Sequence, residues 1–177
     1  MTLKDAYKWI CENAKDWKIT EQSDNKLVIS KNNVFITITN DEINWKTANH
    51  SNYNPIDLYE EALKILTSRD WVEQTYCKGF RYKTFVDNPN ENVWKDDFAR
   101  YLEQEEDEFD FIRSIRWVAA TDANYGNGTI YAETVCSLDK ETLNNLNEFI
   151  EVQIYDGIGE NYNVMRLVSE GHFYKSK

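Results

Sequence analysis

Lys26-Leu27-Val28-Ile29-Ser30-Lys31-Asn32-Asn33-Val34-Phe35-Ile36-Thr37-Ile38-Thr39 is the stretch that decides the fold class. Lys26–Ser30 is rich in β-formers. Val34, Ile36 and Ile38 then alternate with Phe35, Thr37 and Thr39, which places three apolar side chains on one face of a strand. Asn32-Asn33 between the two runs is a hairpin turn, because Asn tolerates the positive φ that such turns need. Asn40-Asp41 marks a second turn into a strand containing Ile43 and Trp45, and Ile19–Glu21 supplies a short strand before the first. The result is an antiparallel meander with one face to cover.

Helices on either side can cover it. Over residues 3–17, Leu3, Ala6, Tyr7, Ile10, Ala14 and Trp17 recur at helical spacing, with Thr2 as N-cap and Asp5 three residues on. After a polar loop over 47–54, Asn54 reads as an N-cap and Pro55 as the first helical residue. Ile56, Tyr59, Ala62, Leu63 and Leu66 form the stripe of that helix. Residues 1–70 therefore read as an N-terminal α+β subdomain of αββββα type.

Residues 71–110 form a middle acidic segment. Trp71–Phe85 reads as one strand or a hairpin, and Asp87-Asn88-Pro89-Asn90-Glu91-Asn92 is a loop and a candidate boundary. Val93–Glu105 reads as a helix with Val93, Trp94, Phe98 and Leu102 buried. Residues 111–177 read as a C-terminal ββαβ-like unit. Strands at Ile115–Ala119 and Ile130–Thr134 are joined by a loop at Asp122–Gly128, with Gly126-Asn127-Gly128 as the turn. A helix begins at Ser137 or Asp139, presents Leu143, Leu146, Ile150 and Ile154, and ends at Gly157. One or two closing strands follow around Val164, Leu167 and His172-Phe173-Tyr174. The fold class expected is α+β.

The 177 residues carry 31 acidic and 20 basic side chains, net −11, and include six Trp and eleven Tyr. That sign disfavours direct binding to nucleic acid or to an anionic membrane and favours a basic protein partner. No run reaches the roughly 18 apolar residues of a membrane span. The start, Met1-Thr2-Leu3-Lys4-Asp5, is unlike a signal peptide. Cys11, Cys77 and Cys136 are too few and too scattered for a disulfide framework or a zinc knuckle, and Cys11 and Cys136 fall in apolar-periodic segments as expected core residues. A reducing cytoplasm is the expected compartment.

Charge gathers in the middle. Residues 71–110 hold 11 acids and 5 bases, net −6, against −2 for 1–70 and −3 for 111–177. Asp96, Asp97, Glu103, Glu105, Glu106, Asp107, Glu108 and Asp110 place eight carboxylates within 15 positions. So dense a run belongs in water, where it serves either as a solvated helix end or as a surface for lysines and arginines. Phe109 and Phe111 beside it are expected to act as apolar anchors of that surface. The spacing fits neither a calcium loop nor a two-metal site, so no metal and no cofactor is expected. His50 and His172 stand near no Ser or Cys nucleophile in sequence, and Gly157-Ile158-Gly159 follows a helix where a phosphate cradle would precede one. No enzyme motif emerges, and the reading is a binding protein.

At Thr2-Leu3-Lys4-Asp5-Ala6-Tyr7-Lys8-Trp9-Ile10, at Asn49-His50-Ser51-Asn52-Tyr53-Asn54-Pro55-Ile56-Asp57-Leu58-Tyr59, and at Tyr155-Asp156-Gly157-Ile158-Gly159-Glu160-Asn161-Tyr162, the chain resembles small acidic accessory proteins. These are carried by phages and conjugative elements of Gram-positive gut bacteria, and they include anti-CRISPR inhibitors of Cas9. The resemblance touches both ends of the chain and carries no catalytic residues. Residues 71–110 match no pattern of the group. It implies a stoichiometric inhibitor in a bacterial cytoplasm that binds a nucleic-acid-handling nuclease of a defence system as a DNA mimic. A small mobile-element enzyme acting on a nucleotide or signal molecule, and a generic acidic adaptor, are the alternatives.

Overall fold

A computed structural model describes residues 1–55, 59–84, 109–122, 125–160, 165–169 and 171–177. The fold is α+β, and the chain divides into two compact units, Met1–Val72 and Glu73–Lys177.

In the first unit, α1 (Leu3–Asn13) opens with a capping box. Thr2 Oγ1 accepts from the Asp5 amide at 3.2 Å, and the Thr2 amide donates to Asp5 Oδ2 at 3.0 Å, so two of the unpaired donors at the helix start are satisfied. The helix stops at Asn13, earlier than its apolar stripe suggests. Ala14 and Trp17 stay buried in the turn that follows.

Five strands form the first sheet in sequence order: β1 (Lys18–Gln22), β2 (Lys26–Lys31), β3 (Val34–Thr39), β4 (Glu42–Lys46) and β5 (Ser51–Pro55), every pair antiparallel. Asn32 and Asn33 take φ of 49° and 65°, the left-handed turn that the sequence signals. The register lines up Leu27, Ile38 and Ile43 in one row and Ile29, Ile36 and Trp45 in the next, all buried.

β5 corrects the expected loop and cap. Asn54 pairs with Ile43 and Pro55 with Glu42, so these residues close the sheet instead of opening a helix. Pro55 lacks an N–H and is tolerated because β5 is the sheet edge. Thr47 makes the preceding turn, its Oγ1 accepting from the amides of Asn49 and His50. α2 (Tyr59–Ser68) then buries Tyr59, Ala62, Leu63 and Leu66 and packs on β4 and β5, while α1 packs on β2. The indoles of Trp17 and Trp71 donate to the carbonyls of Thr67 and Leu66 at 3.1 and 2.9 Å.

The second unit holds β6 (Gln74–Thr84), β7 (Ile112–Asp122), β8 (Tyr125–Thr134), α3 (Lys140–Glu160), β9 (Met165–Ser169) and β10 (Tyr174–Lys175). The order is β10-β6-β8-β7, and β9 takes the same edge of β6 as β10 but farther along it. β6 is one unbroken strand, which puts the first part of the expected middle segment inside this sheet. β6 and β7 each pair antiparallel with β8 between them, so they run parallel to one another.

Gly126-Asn127-Gly128 is not a turn. All three lie in β8, and the Phe80 ring occupies the space a side chain at Gly128 would need: a Cβ there would lie 1.9 Å from the ring. α3 begins at the cap Asp139, whose Oδ1 accepts from the Thr142 amide at 2.8 Å. It runs through Gly157 to Glu160, past the expected end. Among its described side chains, Leu146, Asn147 and Ile150 are buried, as are Tyr76, Phe80, Ile130 and Ala132 of the sheet. No helix among the described residues is long and apolar enough to cross a membrane.

Candidate functional site

The acidic run meets the fold at its C-terminal end, and there the expectation is corrected. Phe109, Asp110 and Phe111 are buried. Phe109 packs against Phe111 and, from α3, Phe149, with ring centroids 5.8 and 4.6 Å apart. The Ile112 amide donates to the Phe109 carbonyl and the Val135 amide to that of Phe111, both at 3.0 Å. Phe109 and Asp110 are therefore packed into the second unit, where a water-exposed run was expected. Apolar side chains two apart, leading straight into a β-run, gain more from burial than from flanking carboxylates in water. Asp96, Asp97, Glu103, Glu105, Glu106, Asp107 and Glu108 lie outside the described residues, as do the expected loop at 87–92 and helix at 93–105.

Between the end of β6 at Thr84 and the buried Phe109, residues 85–108 hold nine acids and two bases, net −7 of the chain's −11. Both flanks of the stretch are fixed in one sheet.

A polar cluster with no forewarning in the sequence lies between that sheet and α3. Lys78 is fully buried on β6, where its Nζ donates to Glu151 Oε1 at 2.7 Å. Asn147 Nδ2 donates to the same oxygen at 2.9 Å, and the Phe173 amide donates to Asn147 Oδ1 at 3.3 Å. The ammonium also stands 5.9 Å from the centre of the Phe173 ring. Burial is the largest single influence on the Glu151 carboxyl and pushes its pKa up. The hydrogen bonds from Lys78 and Asn147 and the positive charge of Lys78 and His172 outweigh it, and the net shift is downward. The cluster ties α3, β6 and the segment before β10 together. With Lys78 wholly enclosed, it is a structural lock.

The opposite face of the second sheet is open among the described residues, with Arg81, Arg116, Val118 and Tyr174 exposed. Pairing aligns Arg116, Tyr131, Cys77 and Tyr174 in one row across β7, β8, β6 and β10. The next row is Val118, Thr129 and Gly79. Arg116 stacks on the Tyr131 ring, Cζ to centroid 4.4 Å. Arg113 is held by Glu73 and Glu133 at 2.8 and 3.0 Å, and Glu133 also accepts from Ser114. These contacts lower the Glu133 pKa, the Arg113 hydrogen bond most. Arg81 and Arg116 have no ion-pair partner among the described residues and are exposed.

Cys136 is buried as expected, but Cys11 is exposed on α1 where a core residue was expected, and Cys77 is buried on β6. His50 packs on Trp45 with centroids 5.5 Å apart, and His172 is exposed. Comparison with protein-family models, with curated proteins and with solved structures finds no match to this chain.

Proposed function

We propose that this chain acts by binding, as an anti-CRISPR-type inhibitor of a Cas9-like RNA-guided nuclease, with its carboxylates competing with DNA for a basic groove. The observation that supports this reading most is the concentration of charge: net −7 in the 24 residues 85–108, with both flanks fixed in a single sheet. A carboxylate array tethered at both ends loses less conformational freedom on docking than a free tail. Such an array suits a channel lined by lysine and arginine that otherwise holds phosphates.

The test is a titration of the nuclease–guide complex with the intact chain and with a variant in which Glu103, Glu105, Glu106 and Glu108 are changed to Gln. The intact chain should abolish cleavage with a sharp endpoint near one equivalent. The variant should keep its fold, because carboxylates in so dense a run belong in water, where charges contribute little to stability. Its association should slow most at low salt. Cleavage lost progressively at a small fraction of an equivalent would indicate turnover and sink the inhibitor reading. Unchanged association by the variant would remove the acidic stretch from the interface.

A further inference from the structure

We infer that the open face of the second sheet is a binding platform for a nucleoside phosphate, with the base lying over Gly79 beside Tyr131 and Tyr174 and the phosphate met by Arg116 or Arg81. This inference is independent of the acidic stretch.

The first support is shape. Gly79 sits on the central strand between Lys78 and Phe80, whose side chains are buried on the helix side, so strand alternation points position 79 to the open face. A Cβ at that position would meet nothing within 4 Å. A glycine in mid-strand weakens a sheet and often marks a close approach by a ligand or by another backbone; here the Gly171 backbone lies against that of Gly79, and the space above position 79 stays clear. This one leaves a flat notch in the side-chain layer. Gly128, also in mid-strand, has its space filled by Phe80 and leaves none.

The second support is chemistry. Tyr174 is 59% exposed and Val118 50% exposed, both large for residues on a sheet face. Tyr131 and Tyr174 flank Cys77 in one row, adjacent to the notch. Aromatic rings on a sheet are stacking surfaces for bases, and every base presents a π-face. The Arg116 guanidinium, stacked on Tyr131, keeps its edge N–H groups for an anion, to which it can donate two parallel hydrogen bonds. Among the described side chains, Glu133 and Glu73 are both engaged with Arg113, while Arg81 and Arg116 are exposed. The described part of the face thus offers cations on a chain of net −11. That overall charge opposes a long polyanion and favours a ligand with one or a few phosphates.

The experiment is a titration of the full chain at low salt, followed by amide chemical shifts, with AMP, GMP and UMP, a short single-stranded oligonucleotide, inorganic phosphate, and an acidic peptide. We expect saturable binding by at least one nucleotide or by the oligonucleotide, with shifts centred on Gly79, Thr129 and Tyr131. Preference between those two arms identifies whether the base and phosphate come from a free nucleotide or from a strand. Gly79→Val puts bulk into the notch, with its Cβ meeting nothing within 4 Å, and Tyr174→Ala removes an exposed ring. Each should weaken binding roughly fivefold to a hundredfold, as loss of one stacking contact does, with the circular dichroism spectrum unchanged. The inference is overturned if no nucleotide or oligonucleotide binds, if inorganic phosphate binds as tightly as the nucleotides, if only the acidic peptide binds, or if both variants bind like the intact chain.

Discussion

The first sheet pairs only strands that are neighbours in sequence, whereas the second pairs strands up to nearly a hundred residues apart. The first has a core face of aliphatic side chains and Trp45, and its edges are blunted by a bulge in β1 and by Pro55 in β5. The second buries a lysine against a carboxylate and carries two glycines, Gly79 and Gly128, in mid-strand. The first sheet follows the rules of an ideal meander, while the second departs from ideal sheet chemistry at several places. Such departures are where binding or specificity tends to reside.

The largest expected break in this comparison is Glu151→Ala. It removes a carboxylate held by the enclosed Lys78 ammonium, and losing one partner of a buried pair costs up to about 3–5 kcal/mol. Hydrogen exchange should show residues 73–177 losing protection while residues 1–72 keep theirs. Lys78→Met combined with Glu151→Leu should recover most of the loss. A cost under about 1 kcal/mol for the single change would mean that the ammonium finds another partner. Acid should imitate the single mutant. The Glu151 pKa is depressed in the fold, so its contribution is complete above the ordinary value of 4.5 and fades as pH falls through the folded value. The second unit should therefore lose protection below about pH 4.5, measurable by exchange or by near-ultraviolet dichroism.

Next in size is Gly128→Ala, which drives a methyl group into the Phe80 ring and should cost about 1–3 kcal/mol by overpacking. Pairing it with Phe80→Leu tests the assignment: the double variant should cost less than the two changes summed. The matching substitution at Gly79 should be close to neutral for stability. Equal costs at the two glycines would remove the distinction drawn between them.

Alkali should reverse the order of the units. Burial raises the Tyr59 hydroxyl to about 12, and among the described residues that hydroxyl has no hydrogen-bond partner. A folded pKa above the unfolded value of 10 means that stability is intact below pH 10 and is lost as pH rises toward 12. The first unit should weaken in that window, and Tyr59→Phe should abolish the decline. At neutral pH the same variant should gain about 1 kcal/mol, by removing a buried polar group that lacks a partner. Smallest is Thr2→Ala, which breaks the capping box and should cost about 1 kcal/mol of α1 stability, read from exchange at residues 5–8.

The same contrast sets how much was legible in the sequence. In the first unit each turn joins the two strands it pairs, so Asn32-Asn33 and the alternation of Val34–Thr39 carry the topology locally. Its one missed strand, Ser51–Pro55, is polar and ends in Asn-Pro, chemistry shared by a sheet edge and a helix start. In the second unit the deciding contacts are distant. Gly128 reads as a turn because the Phe80 ring that fills its space lies 48 positions earlier. The burial of Lys78 has no local signal, because a lysine is buried only when paired and Glu151 is 73 positions away. Of the candidate contact residues, Phe109 and Asp110 are buried where their acidic neighbours suggest exposure. The apolar spacing of Phe109, Phe111 and Ile112 was the available signal for burial.

The pairing of Tyr174 with Cys77 has a consequence for biosynthesis. The first unit can close as soon as its own 72 residues have emerged from the ribosome. β6 must wait while nearly a hundred more residues are made, on the order of 5–20 s at ordinary elongation rates. Through that interval Tyr76, Phe80 and an unfilled strand edge stand open to aggregation. The next 24 residues to appear, 85–108, carry net −7. Like-charge repulsion between nascent chains on one messenger opposes contact between their waiting strands.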